Sequence, residues 1–253
     1  MQAQTVLIYQ DYIHNNGQLY AALARHYGHK AVGYCDDADI LSGCLNPAIQ
    51  LFVMPGGADL YYCEKLNGAG NARIRAYVEQ GGSYLGVCAG AYYGCAALDW
   101  AANSVAPING ARELGFYDGV ASGPLPDLME DGTIEKSWRG VAALAYDDGA
   151  ARIETAALYE GGPVFTGGSA TILARYADGR AAIVECRTGK GKAILSGPHI
   201  EIMTPPLYAH RNESFAYEKK ITAALAPHLA TRQALWAAVL DRLTPAREVS
   251  DAA

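Results

Sequence analysis

A single cysteine, Cys88, stands between Gly86 and Gly90 in YLGVCAGAYYG (84–94), directly behind an apolar run. A G-x-nucleophile-x-G spacing belongs to a tight strand-to-helix turn, where the nucleophile takes a strained backbone conformation and small neighbours avoid clashes. The helix that follows would aim its N-terminus at the sulfur and favour the thiolate. A buried, inert cysteine among packing glycines is the alternative reading of the same residues.

Two further stretches supply partners. In ILSGPHIEIM (194–203), His199 and Glu201 are two residues apart, so in extended chain they point the same way. The carboxylate would then orient the imidazole and stabilise its protonated form, which makes Cys88, His199 and Glu201 a candidate triad for acyl transfer. In MPGGADLYY (54–62), Gly56 and Gly57 close an apolar strand at the edge where a parallel sheet binds ligands. The backbone N–H groups of Gly57 and Ala89 would form a two-donor oxyanion hole. Tyr92, Gly56 and Asp59 are placed on the substrate side of that edge. Tyr61 and Tyr62 line the pocket or pack in the core. Asp11, Asn15 and Asn16 follow the first strand, where opening a helix is the preferred reading.

The elements around these residues alternate. TVLIYQD (5–11), AVGYCD, IQLFVMPGG (49–57) and SYLGVC (83–88) read as strands. GQLYAALARHYG (17–28), NARIRAYVEQGG (71–82) and AYYGCAALDWA read as helices. Repeated strand–helix units imply right-handed crossovers and an α/β fold with a parallel sheet covered by helices on both faces. From about 104 the chain becomes rich in Gly and Pro and reads as loop. Short strands with turn signals follow, an antiparallel extension spanning about 104–192. ARYADGRAAIVE and RTGKGKAIL read as hairpins. Residues 1–230 are expected to form one α/β domain, with a helical tail over 231–253; the helical stretch from Ser214 to Leu243 is broken at Pro227.

Composition narrows the function classes. The 253 residues carry a formal charge of −6 and show no basic cluster, so nucleic acid is not an expected partner. The longest apolar runs are too short to cross a bilayer. The N-terminus shows no signal pattern, and a cytosolic, reduced location is expected unless an upstream signal has been removed. The six cysteines lack paired CxxC spacing. Cys35, Cys44, Cys63, Cys95 and Cys186 read as structural. His14, His26, His29, His210 and His228 lack metal-ligand spacing, and neither metal nor cofactor is assigned. Glu154, Glu160 and Glu185 read as solvated or turn positions.

The three motifs, in this order, resemble the class I glutamine amidotransferase superfamily, which implies a flavodoxin-like domain. More narrowly, MPGGADLYY, YLGVCAGAYYG and GKGKAILSGPHIE resemble the family named for the N-terminal domain of eukaryotic biotin–protein ligases, over roughly residues 5–225. The resemblance implies Cys88 as nucleophile, His199 as base, Glu201 as orienting acid, and Gly57 with Ala89 as oxyanion donors. Glutamine amidotransferases usually carry C-x-G-x-Q, whereas CAGAY places Tyr92 where the Gln would stand. A phenol lacks the amide's paired donor and acceptor. The expected function is therefore a cysteine-dependent amidase or amidotransferase-like enzyme acting on a small amide or peptide-like substrate, with a partner chain required if ammonia is transferred. A catalytically silent binding module and a redox-sensing cysteine are the alternatives. Biotin ligation is not expected: Gly189-Lys190-Gly191-Lys192 falls in the turn of the second hairpin, outside any adenylate-forming domain.

Overall fold

A computed structural model describes residues 4–11, 16–205 and 214–244. His14, Asn15 and His210 lie outside the described residues. The first half of the chain contributes strands β1 (Val6–Tyr9), β2 (Val32–Cys35), β3 (Leu51–Met54) and β4 (Ser83–Val87). Between and after them run helices α1 (Gly17–Tyr27), α2 (Asp37–Leu41), α3 (Asp59–Leu66), α4 (Ala69–Glu79) and α5 (Ala89–Tyr93). Strands β5 (Cys95–Trp100), β6 (Ile108–Ala111), β7 (Tyr117–Gly123), β8 (Arg139–Asp147) and β9 (Arg152–Glu160) follow. Next come β10 (Val164–Thr166), β11 (Thr171–Tyr176), β12 (Ala181–Thr188) and β13 (Gly191–Ser196), then α6 (Phe215–Leu225) and α7 (Leu229–Leu243).

All these strands belong to one sheet. Its first part runs β2-β1-β3-β4-β13 with every neighbour parallel, the 2-1-3-4-5 order of a flavodoxin-like sheet. Burial explains the composition of these strands. Val6, Ile8, Leu51, Val53, Leu85 and Ile194 face one core, with Leu19 and Leu23 of α1 and Leu235, Trp236 and Val239 of α7. The alternate residues Leu7, Tyr9, Phe52, Met54, Tyr84 and Leu195 face a second core under α2, α3 and α4. A strand covered on both faces has no solvent side to mark with polar residues, hence LFVM and VLIY. Helix α7 closes the first core, so the C-terminal helical stretch packs onto the sheet.

Beyond β13 the sheet turns antiparallel through β12, β10 and β7, with β11, β8 and β9 branching from β12. Both expected hairpins are present, β11–β12 around Asp178-Gly179 and β12–β13 around Gly189-Lys190, where Gly189 has φ of 59°. Two expectations fail. AYYGCAALDWA is not one helix: α5 stops at Tyr93, and CAALDW forms β5, paired with β6 and β7. Pairing across the extension outweighs the local helical propensity of that hexapeptide. The stretch read as loop from 104 likewise contains β6 and β7. Its Gly and Pro residues hide β6, paired with the neighbouring β5, and β7, paired with β5 and with the distant β10.

Candidate active site

The cavity at the carboxyl ends of the parallel strands is built around Cys88. Strand β4 delivers the chain to a residue with φ 52° and ψ −106°, a conformation costing on the order of 1–3 kcal/mol outside glycine. Neighbouring bonds hold it there. The Cys88 N–H donates to the Ser196 carbonyl at 2.9 Å, the Gly90 N–H to Pro55 at 3.0 Å, and the Tyr84 hydroxyl to the Gly90 carbonyl at 2.8 Å. A Cβ on Gly86 would strike the Gly90 carbonyl, and one on Gly90 would strike the Met54 carbonyl. Both glycines are therefore required by backbone contact. Because α5 has only five residues, its dipole acts on the sulfur weakly.

Strand β13 delivers His199 and Glu201. The His199 N–H donates to the Leu158 carbonyl at 2.8 Å, an isolated bridge that fixes the segment against β9. His199 and Glu201 are both buried, and Nδ1 lies 2.7 Å from Glu201 Oε1. An Nδ1 facing a carboxylate carries the proton, which leaves Nε2 for the thiol side. Burial by itself lowers the imidazole pKa, but the Glu201 charge and the hydrogen bonds of Cys88 and Glu201 overcome it and raise it well above the usual value.

The Pro55-Gly56-Gly57 turn packs directly on this pair. A Cβ on Gly56 would sit 2.6 Å from His199 Cε1 and 3.5 Å from Cys88 Cβ. The buried Tyr62 hydroxyl donates to the Pro55 and Gly56 carbonyls at 3.0 and 3.2 Å, so Tyr62 is a core residue that shapes the turn. The Ala89 N–H, between the engaged N–H groups of Cys88 and Gly90, makes no hydrogen bond among the described residues. Gly57, Ala89, Asp59 and Tyr92 line the same cavity of about 530 Å³, as does Asn16. Asn16 does not cap α1 with its side chain; it donates to the Tyr9 carbonyl at 3.2 Å. Asp59 receives Arg112 Nε at 2.7 Å.

Residues 6–250 match the family described as Biotin-protein ligase, N terminal. The chain belongs to that family. An uncharacterized protein of Chlamydia muridarum is 41% identical over 163 residues, the match covering 61% of each chain. The biotin–protein ligase of Schizosaccharomyces pombe is 32% identical over 180 residues, covering 66% of this chain and 28% of the ligase. This chain thus spans under two thirds of each relative. Among solved structures, a cytoplasmic protein of Salmonella typhimurium LT2 aligns with a TM-score of 0.49 at 12% identity, over 94% of this chain and 98% of that one.

In this biotin-protein ligase N-terminal family member, residues read from sequence as solvated form part of the site. Glu160, at the end of β9, places its carbonyl 3.4 Å from Cys88 Sγ and Oε2 3.7 Å from His199 Nε2. The fully buried Arg139 lies behind it, 3.2 Å from Glu160 Oε1 and 3.8 Å from Glu218. Glu185 is also buried and pairs with Arg242 at 2.7 Å, away from the cavity, while Glu154 is exposed as expected. The Tyr92 hydroxyl donates to the Gly161 carbonyl at 3.0 Å, so the residue in the Gln position holds the Glu160 loop in place. Cys35, Cys95 and Cys186 are buried; burial pushes the Cys186 thiol up to about 12. Cys63 does not line the cavity. No group of three metal-ligating side chains occurs among the described residues, and no described helix is long and apolar enough to cross a membrane.

Gly56 offers a sharp test of this packing in the family chain. Gly56→Ala would force the imaginary Cβ contact to be relieved by moving the His199 ring, which Glu201 otherwise fixes. A displacement near 1 Å at a reacting group can cost roughly 10²-fold. The expected outcome is a loss of Cys88 reactivity of that order with a near-unchanged thermal midpoint, measured by alkylation rate and melting on the same sample.

Proposed function

We propose that this protein is a cysteine-dependent amidase or acyl-transfer enzyme. One observation carries the reading: Cys88 occupies a strained elbow beside the His199 imidazole, both packed on Gly56, and the Nδ1 of that ring is held by a buried carboxylate. The fold's 2-1-3-4-5 sheet order, with the cavity at its carboxyl edge, supports the same reading.

The chemistry follows from the atoms. His199 Nε2 takes the proton from Cys88 Sγ, and the thiolate attacks an amide carbonyl. The N–H groups of Gly57 and Ala89 hold the oxyanion, a contribution that in oxyanion holes is worth about 10²–10³ in rate. Collapse breaks the C–N bond, and the amine leaves with the proton from His199 Nε2. Water, deprotonated by the same nitrogen, then cleaves the thioester to a carboxylic acid and restores the thiol. Glu201 keeps the ring in the required tautomer throughout. With Tyr92 committed to Gly161, the position that carries the amide in glutamine amidotransferases offers none here, so hydrolysis of another amide is favoured over ammonia transfer to a partner chain. Membership of a family named after biotin–protein ligases is not read as ligation: the Gly189–Lys192 stretch is a hairpin turn of the sheet.

The test is release of amine or ammonia from a panel of primary and substituted amides. Wild type is expected to turn over at least one, and Cys88→Ser to lose at least about 10³-fold, since the nucleophile of a triad is not replaced by binding alone. Equal turnover by Cys88→Ser would reject the reading. A wild type that binds amides without cleaving them would favour a binding module.

A further inference from the structure

The walls of the cavity carry information about what enters it. The lining has an apolar part: it includes Leu60, Leu98, Ile108, Trp100 and Trp138, and the two indole rings meet edge to face with centroids 6.3 Å apart. The indoles come from β5 and from the segment before β8, so two separate parts of the extension supply them. Acidic side chains share the cavity with them, and a Cβ on Gly161, next to Glu160, would lie 3.6 Å from the Trp138 Cβ. Asp59, Glu160 and Glu201 line the cavity, and among the described residues His199 is the single basic side chain of the lining. Glu201 is matched by His199 and Asp59 by Arg112. Arg139, by contrast, faces two carboxylates, Glu160 and Glu218, so among the described residues negative charge is in excess beside Glu160.

Glu160 also has the right reach. Its backbone carbonyl contacts Cys88 Sγ, and its Oε2 lies beside His199 Nε2. A group attached to the carbon next to the scissile carbonyl would lie within contact of it. An anionic substituent there would meet carboxylates and, among the described residues, no basic side chain except the imidazole already paired with Glu201. A charge-assisted bond from an ammonium would satisfy Oε2. A flat apolar arm on the same carbon would have the two indoles to pack against, and about 530 Å³ exceeds the needs of a simple primary amide.

Building on the amidase reading, we propose that the cavity takes amides of hydrophobic amino acids with an unblocked amino group, including peptides with a free, apolar N-terminal residue. The Glu160 carboxylate receives the ammonium, and Trp100 with Trp138 receives the side chain. Glutamine, which carries a carboxylate and no apolar arm, is disfavoured on both counts.

The test separates binding from turnover. Phenylalaninamide, N-acetylphenylalaninamide, glycinamide and glutamine are titrated calorimetrically against Cys88→Ala. Phenylalaninamide is expected to bind at least about tenfold more tightly than each of the others, the size of one charge-assisted hydrogen bond or one buried ring. Glu160→Gln is expected to erase the preference over the acetylated compound while keeping that over glycinamide; Trp138→Leu is expected to do the reverse. Melting curves show whether each variant folds, and the four-ligand comparison on the otherwise unaltered cavity decides the matter if Glu160→Gln does not. Equal affinity for the acetylated compound, preference for glutamine, or binding of none of the four would overturn the proposal. Selective binding of phenylalaninamide without its hydrolysis by wild type would instead count against the amidase reading alone.

Discussion

Replacing His199 with alanine is expected to slow alkylation of Cys88 by iodoacetamide at pH 7 by at least about tenfold, as read by mass spectrometry of the Cys88 peptide. The thiolate is the reacting species, and the imidazolium beside it is the cation that favours it. Among the described residues, no lysine or arginine lines the cavity to substitute for that charge. Arg112 and Arg139 face the lining carboxylates Asp59 and Glu160. The same ring has a stability signature. Its folded pKa is raised above the unfolded value of about 6.5, chiefly by the Glu201 charge working against burial. The stabilisation is therefore complete below about pH 6.5 and is lost as pH rises through the higher folded value. The stability gap between wild type and His199→Gln should be widest near pH 6 and narrow on the alkaline side. An unchanged alkylation rate in His199→Ala would mean that the imidazole does not act on the thiol.

Arg232→Ala is expected to have the largest effect on stability. This α7 residue is 1% exposed and donates to four backbone carbonyls. Nε reaches Ile202 at 3.0 Å, Nη1 reaches Ala156 at 2.9 Å and Leu225 at 3.2 Å, and Nη2 reaches Met203 at 2.8 Å. Those carbonyls belong to the segment just after Glu201, to β9 and to the end of α6. The guanidinium thus joins the two strands that bring His199 and Glu160 together. Removing it leaves buried acceptors without donors, at about 1–3 kcal/mol each, so a loss of about 3 kcal/mol or more follows. That corresponds to a fall in Tm of roughly 6–12 °C for a chain of this size. Thermal melting checks the value, and Cys88 alkylation on the folded fraction should fall with it. A shift under about 2 °C would show that the fan of hydrogen bonds carries little.

The parts of the site that were legible in the sequence share one property: each is announced by local backbone chemistry. Cys88 is framed by glycines because Gly86 and Gly90 meet carbonyls where a Cβ cannot fit. Gly56 and Gly57 mark a strand end, and His199 with Glu201 are two apart on one segment. The parallel half of the sheet was legible for the same reason, since a strand buried on both faces is apolar throughout. Glu160, Arg139 and Arg232 were not legible. Each enters the site through long-range pairing, β8 with β9 and α7 with the His199 segment, and no spacing in the chain records those contacts. In β9 the sequence TAALYE even leads Glu160 out of a buried run into what reads as a turn. β5 failed in the other direction: CAALDW has helical propensity, and its strand state is imposed by β6 and β7. Asn16 was read as a helix start and does open α1, where its carbonyl accepts from Tyr20, but it also lines the cavity, because its amide turns back to the carbonyl that ends β1.

The most direct measurement is to trap the acyl-enzyme. Wild type is mixed with p-nitrophenyl acetate at pH 7, quenched in acid within the burst, and mapped by peptide mass. The expected result is a single acetyl group on Cys88, formed at least about tenfold more slowly in His199→Ala and lost with time as water resolves the thioester. Acetyl groups spread over lysines and other cysteines, with Cys88 no more labelled than they are, would contradict nucleophilic catalysis by Cys88.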